Sequence, residues 1–176
     1  MIGGRGPMVA LVGMAGLLLI LAIVSGWRGT HRLTSRSDDT LAVERAATAF
    51  VEAYGTFDFR DPESYQERLL GLTTGPVRSV VLEADIDPAA VGQQRTMTAH
   101  VISVEVTAFS DEEATATVTS EQTRRVVDPA SGALTDERVV QIADCRLVKE
   151  AGRWFVSEFH FRSEEPQTGA NVPGAD

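Results

Sequence analysis

Four side chains in this 176-residue sequence are of types that do chemistry when held in an apolar pocket: Tyr54, Asp58, Asp144 and His160. A carboxylate whose pKa is raised by apolar surroundings serves as a general base, and a nearby tyrosine can stabilise an enolate oxygen. Asp144 carries the sharpest form of this idea. Val140, Ile142 and Asp144 share one face of a strand, which would aim the acid inward among apolar neighbours. Ala143, Cys145 and Leu147 form an equally apolar opposite face, and that phase would put Asp144 in water. No pairing among the four stands out, so no catalytic residue is expected; the four stand as candidates for the lining of a ligand cavity. His31, His100 and His160 lie far apart with no second ligand at helical or hairpin spacing, so no metal is expected. No Gly-rich loop joins a strand to a helix, no nucleophile motif is present, and no cofactor is expected.

Those residues must be positioned by helices first and strands afterwards. Ser37-Asp38-Asp39-Thr40 offers N-cap oxygens, and Leu41, Val43, Ala46, Ala47, Phe50, Val51 and Tyr54 then recur at helical spacing. Gly55 weakens the end of that helix. Asp61-Pro62 restarts the chain as a second helix over about Pro62 to Leu70, and Thr73-Thr74-Gly75-Pro76 opens a third, with Val77, Val80 and Val81 on its inner edge. Beyond Asp87-Pro88 the period drops to two. Gln94 to Phe109 reads as one strand whose apolar phase slips between Met97-Ala99-Val101 and Ile102-Val104-Val106, which predicts a bulge or bend. Ala114 to Thr119, Glu137 to Lys149 and Arg153 to Phe161 follow as strands joined by turns at Asp128-Pro129-Ala130-Ser131-Gly132 and Lys149-Glu150-Ala151-Gly152. The fold class is therefore α+β: three helices packed on a curved antiparallel sheet of about four strands, spanning residues 40–163. Residues 164–176, rich in Pro, Gly and acids, are expected to be disordered.

Ahead of that domain, Met8 to Ser25 is an uncharged apolar run followed by Trp27. About 18 to 20 such residues in a helix rise roughly 27 to 30 Å, the thickness of a bilayer's hydrocarbon core. The run exceeds a usual signal-peptide core and no clean small-residue cleavage site follows, so residues 8–27 are expected to be an uncleaved transmembrane helix, after a short segment 1–7. Residues 28–39 form a basic linker that either meets anionic headgroups or is a hydrated spacer. Its Arg28, Arg32 and Arg36 outnumber Arg5 on the other flank, which by the positive-inside rule places the domain in the cytoplasm. The net charge of −9 comes from the rest of the chain and excludes nucleic acid as a natural partner. The lone Cys145 forms no internal disulfide.

The order of elements, closing in Val148-Lys149-Glu150-Ala151-Gly152-Arg153-Trp154-Phe155-Val156, resembles the cone-shaped nuclear-transport-factor-2-like (cystatin-like) superfamily. One transmembrane helix before such a domain, with Phe57-Asp58-Phe59-Arg60 ahead of the short helices, resembles TcpC-like scaffolds of conjugative type IV secretion machines and Mce-associated membrane proteins. The continuation Asp61-Pro62-Glu63-Ser64-Tyr65 and Arg68-Leu69-Leu70 leans toward the conjugative group, whose TcpC-like members carry two such domains where this chain has room for one. The resemblance implies a bacterial single-pass membrane protein with its domain outside the cytoplasm, against the charge count. It implies a non-enzymatic scaffold or accessory subunit, bound to the bilayer through residues 8–27 and to other subunits of a transport complex, with homo-oligomerisation open. The alternative is a small-ligand binder or an isomerase- or dehydratase-like enzyme using the cone. An open polar cavity holding Asp144 or Tyr54 would favour that alternative, and a cone plugged by Phe50, Leu69 and Trp154 would exclude it.

Overall fold

Val43, Ala47, Phe50 and Val51 recur at steps of three and four, and all four are buried. That is the stripe a helix needs to lie on a sheet. The computed structural model describes residues 37–85 and 87–166. The chain divides into two units, residues 1–39 and 40–176. Of the first, only residues 37–39 are described, and they are helical. Ser37-Asp38-Asp39 is thus helix rather than cap. The expected anchor at residues 8–27 lies outside the described residues, as do segment 1–7 and most of the linker; among the described residues no helix is long and apolar enough to cross a membrane.

In the second unit, α1 covers residues 40–55 and is followed by β1 (Phe57–Asp58), α2 (Pro62–Leu70), α3 (Gly75–Glu83) and α4 (Pro88–Gly92). Then come β2 (Thr96–Phe109), β3 (Glu113–Val127), β4 (Leu134–Glu150) and β5 (Arg153–Pro166). The five strands form one antiparallel sheet in chain order. The class is α+β as expected, with one more helix and one more strand among the described residues. Both additions are too short to show a period. β1 is two residues paired with Thr96 and Met97, and α4 is a single turn capped by Asp87, whose carboxylate accepts the Ala89 N–H at 2.9 Å. The predicted cap of α2 is present, with Asp61 Oδ1 accepting from Ser64 N at 3.3 Å.

The phase slip in β2 is a bulge. Register with β3 shifts between Val101 and Ser103, leaving Ile102 exposed, and shifts again between Val106 and Ala108. Each bulge returns apolar residues to the inner face, so Val101, Val104, Val106 and Phe109 all pack on the core. β5 carries two further shifts opposite β4, and it continues past the expected boundary: Glu164, Glu165 and Pro166 pair with Gln141, Val140 and Val139. The first three residues of the expected disordered tail are therefore strand, because the longer β4 offers them a partner. Residues 167–176 lie outside the description.

The core joins Val43, Ala47 and Phe50 of α1 to Ala116 and Val118 of β3, Cys145 and Leu147 of β4, and Trp154 and Val156 of β5. Burying each large side chain contributes roughly 1.5–3 kcal/mol. Gly55 does more than weaken α1. A Cβ there would sit 2.3 Å from the Ala99 side chain, so the glycine lets the end of α1 lie directly on β2. By contrast α3 has no fully buried residue: of its expected inner edge Val77 and Val81 pack half-buried on the core, while Val80 is 66% exposed.

Candidate functional site

Along β3 the inward residues run Ala114, Ala116, Val118, Ser120, Gln122 and Arg124, so the inner face passes from apolar to polar within one strand. β4 follows suit from Leu147 and Cys145 to Gln141, and β5 from Trp154 and Val156 to Glu164. Strand alternation keeps these side chains on one face, and the antiparallel register brings their polar ends together. The result is a connected network. Arg124 donates from Nε to Gln122 Oε1 at 2.6 Å and from a terminal nitrogen to Glu164 Oε1 at 2.7 Å. Gln141 donates to the other Glu164 oxygen at 2.9 Å, and Gln122 donates to the Gly55 carbonyl at 3.1 Å, tying the sheet to the end of α1. Glu137 lies 3.9 Å from the same Arg124 nitrogen.

These residues floor a cleft of about 470 Å³, bordered also by Tyr54, Tyr65 and Arg95. Tyr54 reaches it from the last turn of α1, held in an aromatic cluster with Phe50, Phe159 and Phe161 at centroid distances of 4.9–6.0 Å. Tyr65 of α2 donates its hydroxyl to the Tyr54 carbonyl at 3.0 Å and packs edge-on against Phe57. Burial raises the Tyr54 pKa against the opposing pull of Arg124, and burial pushes Tyr65 up to about 12. Both stay protonated donors at neutral pH. The hydrogen bond from Arg124 holds the Glu164 carboxyl below its ordinary value despite partial burial. A carboxylate so stabilised is a poor general base. The floor is built to hold polar groups in place.

Of the four predicted lining residues, Tyr54 alone borders this cleft. Asp58 belongs to a local turn: its carboxylate accepts the Arg60 N–H at 2.9 Å and its carbonyl accepts the Asp61 N–H at 3.0 Å. Asp144 lies on the outer face, where it accepts from Thr117 Oγ1 at 2.8 Å and pairs with Arg162. Burial pulls its pKa up, but those two bonds outweigh it and the net shift is down. The inward reading of Asp144 fails because its neighbours Ala143 and Cys145 take the inner face opposite Val118 and Ala116. His160 is exposed and sits across from Asp144 in the β4–β5 register. The structure thus brings Asp144 and His160 together, while His160 and Tyr54 both border a further cleft of about 320 Å³ beside α3. Among the described residues no group of three or more His, Cys, Asp or Glu is placed to hold a metal ion.

Gln122, Arg124, Gln141 and Glu164 were not foreseen. The parity of β3 was the available signal, since Gln122 and Arg124 continue the Ala114-Ala116-Val118 phase. The plug test splits: Phe50, Leu69 and Trp154 do fill one end, while the other is open and bordered by Tyr54.

No family model matches the chain, and no curated protein matches it in sequence. Solved structures do match in shape. The VirB8 protein of Agrobacterium tumefaciens aligns with a TM-score of 0.51 at 11% identity, over 74% of this chain and 94% of that one. An Ntf2-like protein involved in plasmid conjugation aligns with a TM-score of 0.50 at 12% identity, over 69% of this chain. The fold is the nuclear-transport-factor-2-like cone. The chain spans about half the length of the conjugation protein, 48%. A hexachlorocyclohexane dehydrochlorinase, LinA, aligns with a TM-score of 0.47 at 9% identity, over 81% of this chain and 95% of that one, a likeness too low to bear on catalysis.

Proposed function

We propose that this protein is a membrane-anchored, non-enzymatic subunit of a transport complex of the conjugative type IV secretion kind, with its cone outside the cytoplasm. The observation that carries the reading is one arrangement: a cone similar in shape to a protein involved in plasmid conjugation, preceded in sequence by the uncharged run Met8 to Ser25. The chemistry of the cleft supports a binding role, because Glu164 is held ionised by Arg124 and both tyrosines are held protonated. An anchor confines the cone to a surface, which raises the effective concentration of partners in the same membrane and lets modest interfaces assemble. α3 supplies such an interface, with Val80 and Leu82 66% and 58% exposed on a helix whose Val77 and Val81 are turned to the core.

A photo-crosslinking residue at Leu82, installed in the cells that encode the protein, tests the reading. Crosslinks to an identified channel subunit of a conjugation machine, absent from a Thr117 control on the outer face of the sheet, are the expected result. Crosslinking no stronger than at Thr117 would count against it.

A further inference from the structure

Beside the polar cleft lies a second, apolar one of about 360 Å³, bordered by α2, α3 and α4 over the edge of the sheet. Phe57, Tyr65, Leu69, Val81, Ala90 and Met97 supply its walls. The two clefts share Tyr54, Tyr65, Arg95 and Met97, so they meet along that border. One chamber offers hydrocarbon and the next offers hydrogen bonds. The volume of the apolar chamber falls within the roughly 300–1,000 Å³ of small-molecule sites. Its outer wall is α3, which has no fully buried residue, rests on the core through the half-buried Val77 and Val81, and starts at Gly75 with a φ of +54°, so this wall is lightly held.

The charges of the polar chamber are matched among themselves. Arg124 is taken by Glu164, Gln122 and Glu137, and Arg95 by Gln93 at 3.0 Å and Asp87 at 3.6 Å. An incoming anion would find no unmatched cation and would face Glu137 and Glu164. A head that only donates and accepts hydrogen bonds would meet Tyr54, Thr135 and Gln141 at no such cost.

We propose that the cone binds a single-chain amphiphile with an uncharged, hydrogen-bonding head, its chain in the apolar cleft under α3 and its head on the polar floor. This goes beyond the scaffold reading and does not depend on it.

The test uses the full-length chain and a series of 1-monoacylglycerols below their aggregation limits, with the fatty acid of equal length as the charged comparison. Native mass spectrometry or calorimetry near neutral pH should show one saturable site. Affinity should rise about fourfold per added methylene until the apolar cleft is full. The fatty acid should bind about tenfold more weakly or worse. Ala84→Trp, an exposed position just past α3 that borders the apolar cleft, should weaken binding by about tenfold or more, whereas Leu82→Trp, two residues earlier and outside the lining, should leave it unchanged. Uptake by the apolar run at Met8 to Ser25 would be indifferent to Ala84→Trp, so unchanged binding in that variant overturns the proposal. Absence of saturation, indifference to chain length, or tighter binding of the fatty acid overturns it equally. Should Ala84→Trp fail to fold, the chain-length and head-group series on the unaltered protein decides alone.

Discussion

Arg124 and Glu164, forty residues apart in sequence, meet at 2.7 Å on the inner face of the sheet and anchor its polar end. The pair is partly exposed, with side-chain accessibilities of 27% and 41%, so its direct worth is that of a good surface pair. A double-mutant cycle with Arg124→Met and Glu164→Gln should give a coupling of about 0.5–1 kcal/mol. Arg124→Met alone should cost more, because Gln122 and Glu164 both lose a donor. Chemical denaturation of the four chains measures it.

Gly55→Ala should destabilise by about 1–3 kcal/mol, the cost of forcing a methyl group into a packed contact. Its Cβ would meet the Ala99 Cβ at 2.3 Å and the Gln122 amide at 3.2 Å. Mutation of Ala99→Gly in the same chain should recover part of the loss, and thermal denaturation would show it. A Gly55→Ala protein as stable as the original would mean that α1 does not rest on β2 there.

Phe50 is 1% exposed at the centre of the core and packs edge-on against Phe159. Phe50→Ala should cost about 3–5 kcal/mol. Asp144→Asn and His160→Ala lie on the outer face and should leave ligand binding unaltered. For Asp144→Asn the expected loss is about 0.5–1.5 kcal/mol, from the weakened bonds to Thr117 and Arg162.

Stability should fall in acid. Asp61, Asp128, Asp136, Asp144 and Glu164 all have folded-state pKa values below their ordinary 3.8 or 4.5. A lowered carboxylate contributes stability that is complete above its unfolded value and is lost as the pH falls through its folded value. The melting temperature should therefore be insensitive to these groups from neutral pH down to about 5, then drop below about 4. Glu164→Gln should flatten part of that drop. A melting temperature that rises on acidification below about 4 would contradict the assignments.

How much of this could be read from the residues differs by element. The bulge at Ile102 was legible because a phase slip in an alternating strand has one physical meaning, and Asp61-Pro62 was legible as a cap because its signal is local. β1 was not, since two residues carry no period and their pairing depends on Thr96 and Met97, about forty positions away. Asp144 illustrates the other limit. Both faces of β4 are apolar, and the choice between them is made by β3, whose Ala116 and Val118 place Cys145 and Ala143 inside. The polar floor is a tertiary product in the same way: Gln122, Arg124, Gln141 and Glu164 sit on three strands, and only their register makes them one network. Tyr54 was legible as a candidate because it ends the apolar stripe of α1, the point at which that helix leaves the core.

The central claim is that the protein serves a conjugative transport complex, and the frequency of plasmid transfer between cells tests it most directly. Deleting its gene from the cells that encode it should reduce transfer to background, and supplying the full-length chain in trans should restore it. A chain lacking residues 8–27 should fail to restore it while accumulating to the same level. Transfer that proceeds undiminished in the deletion strain would contradict the account.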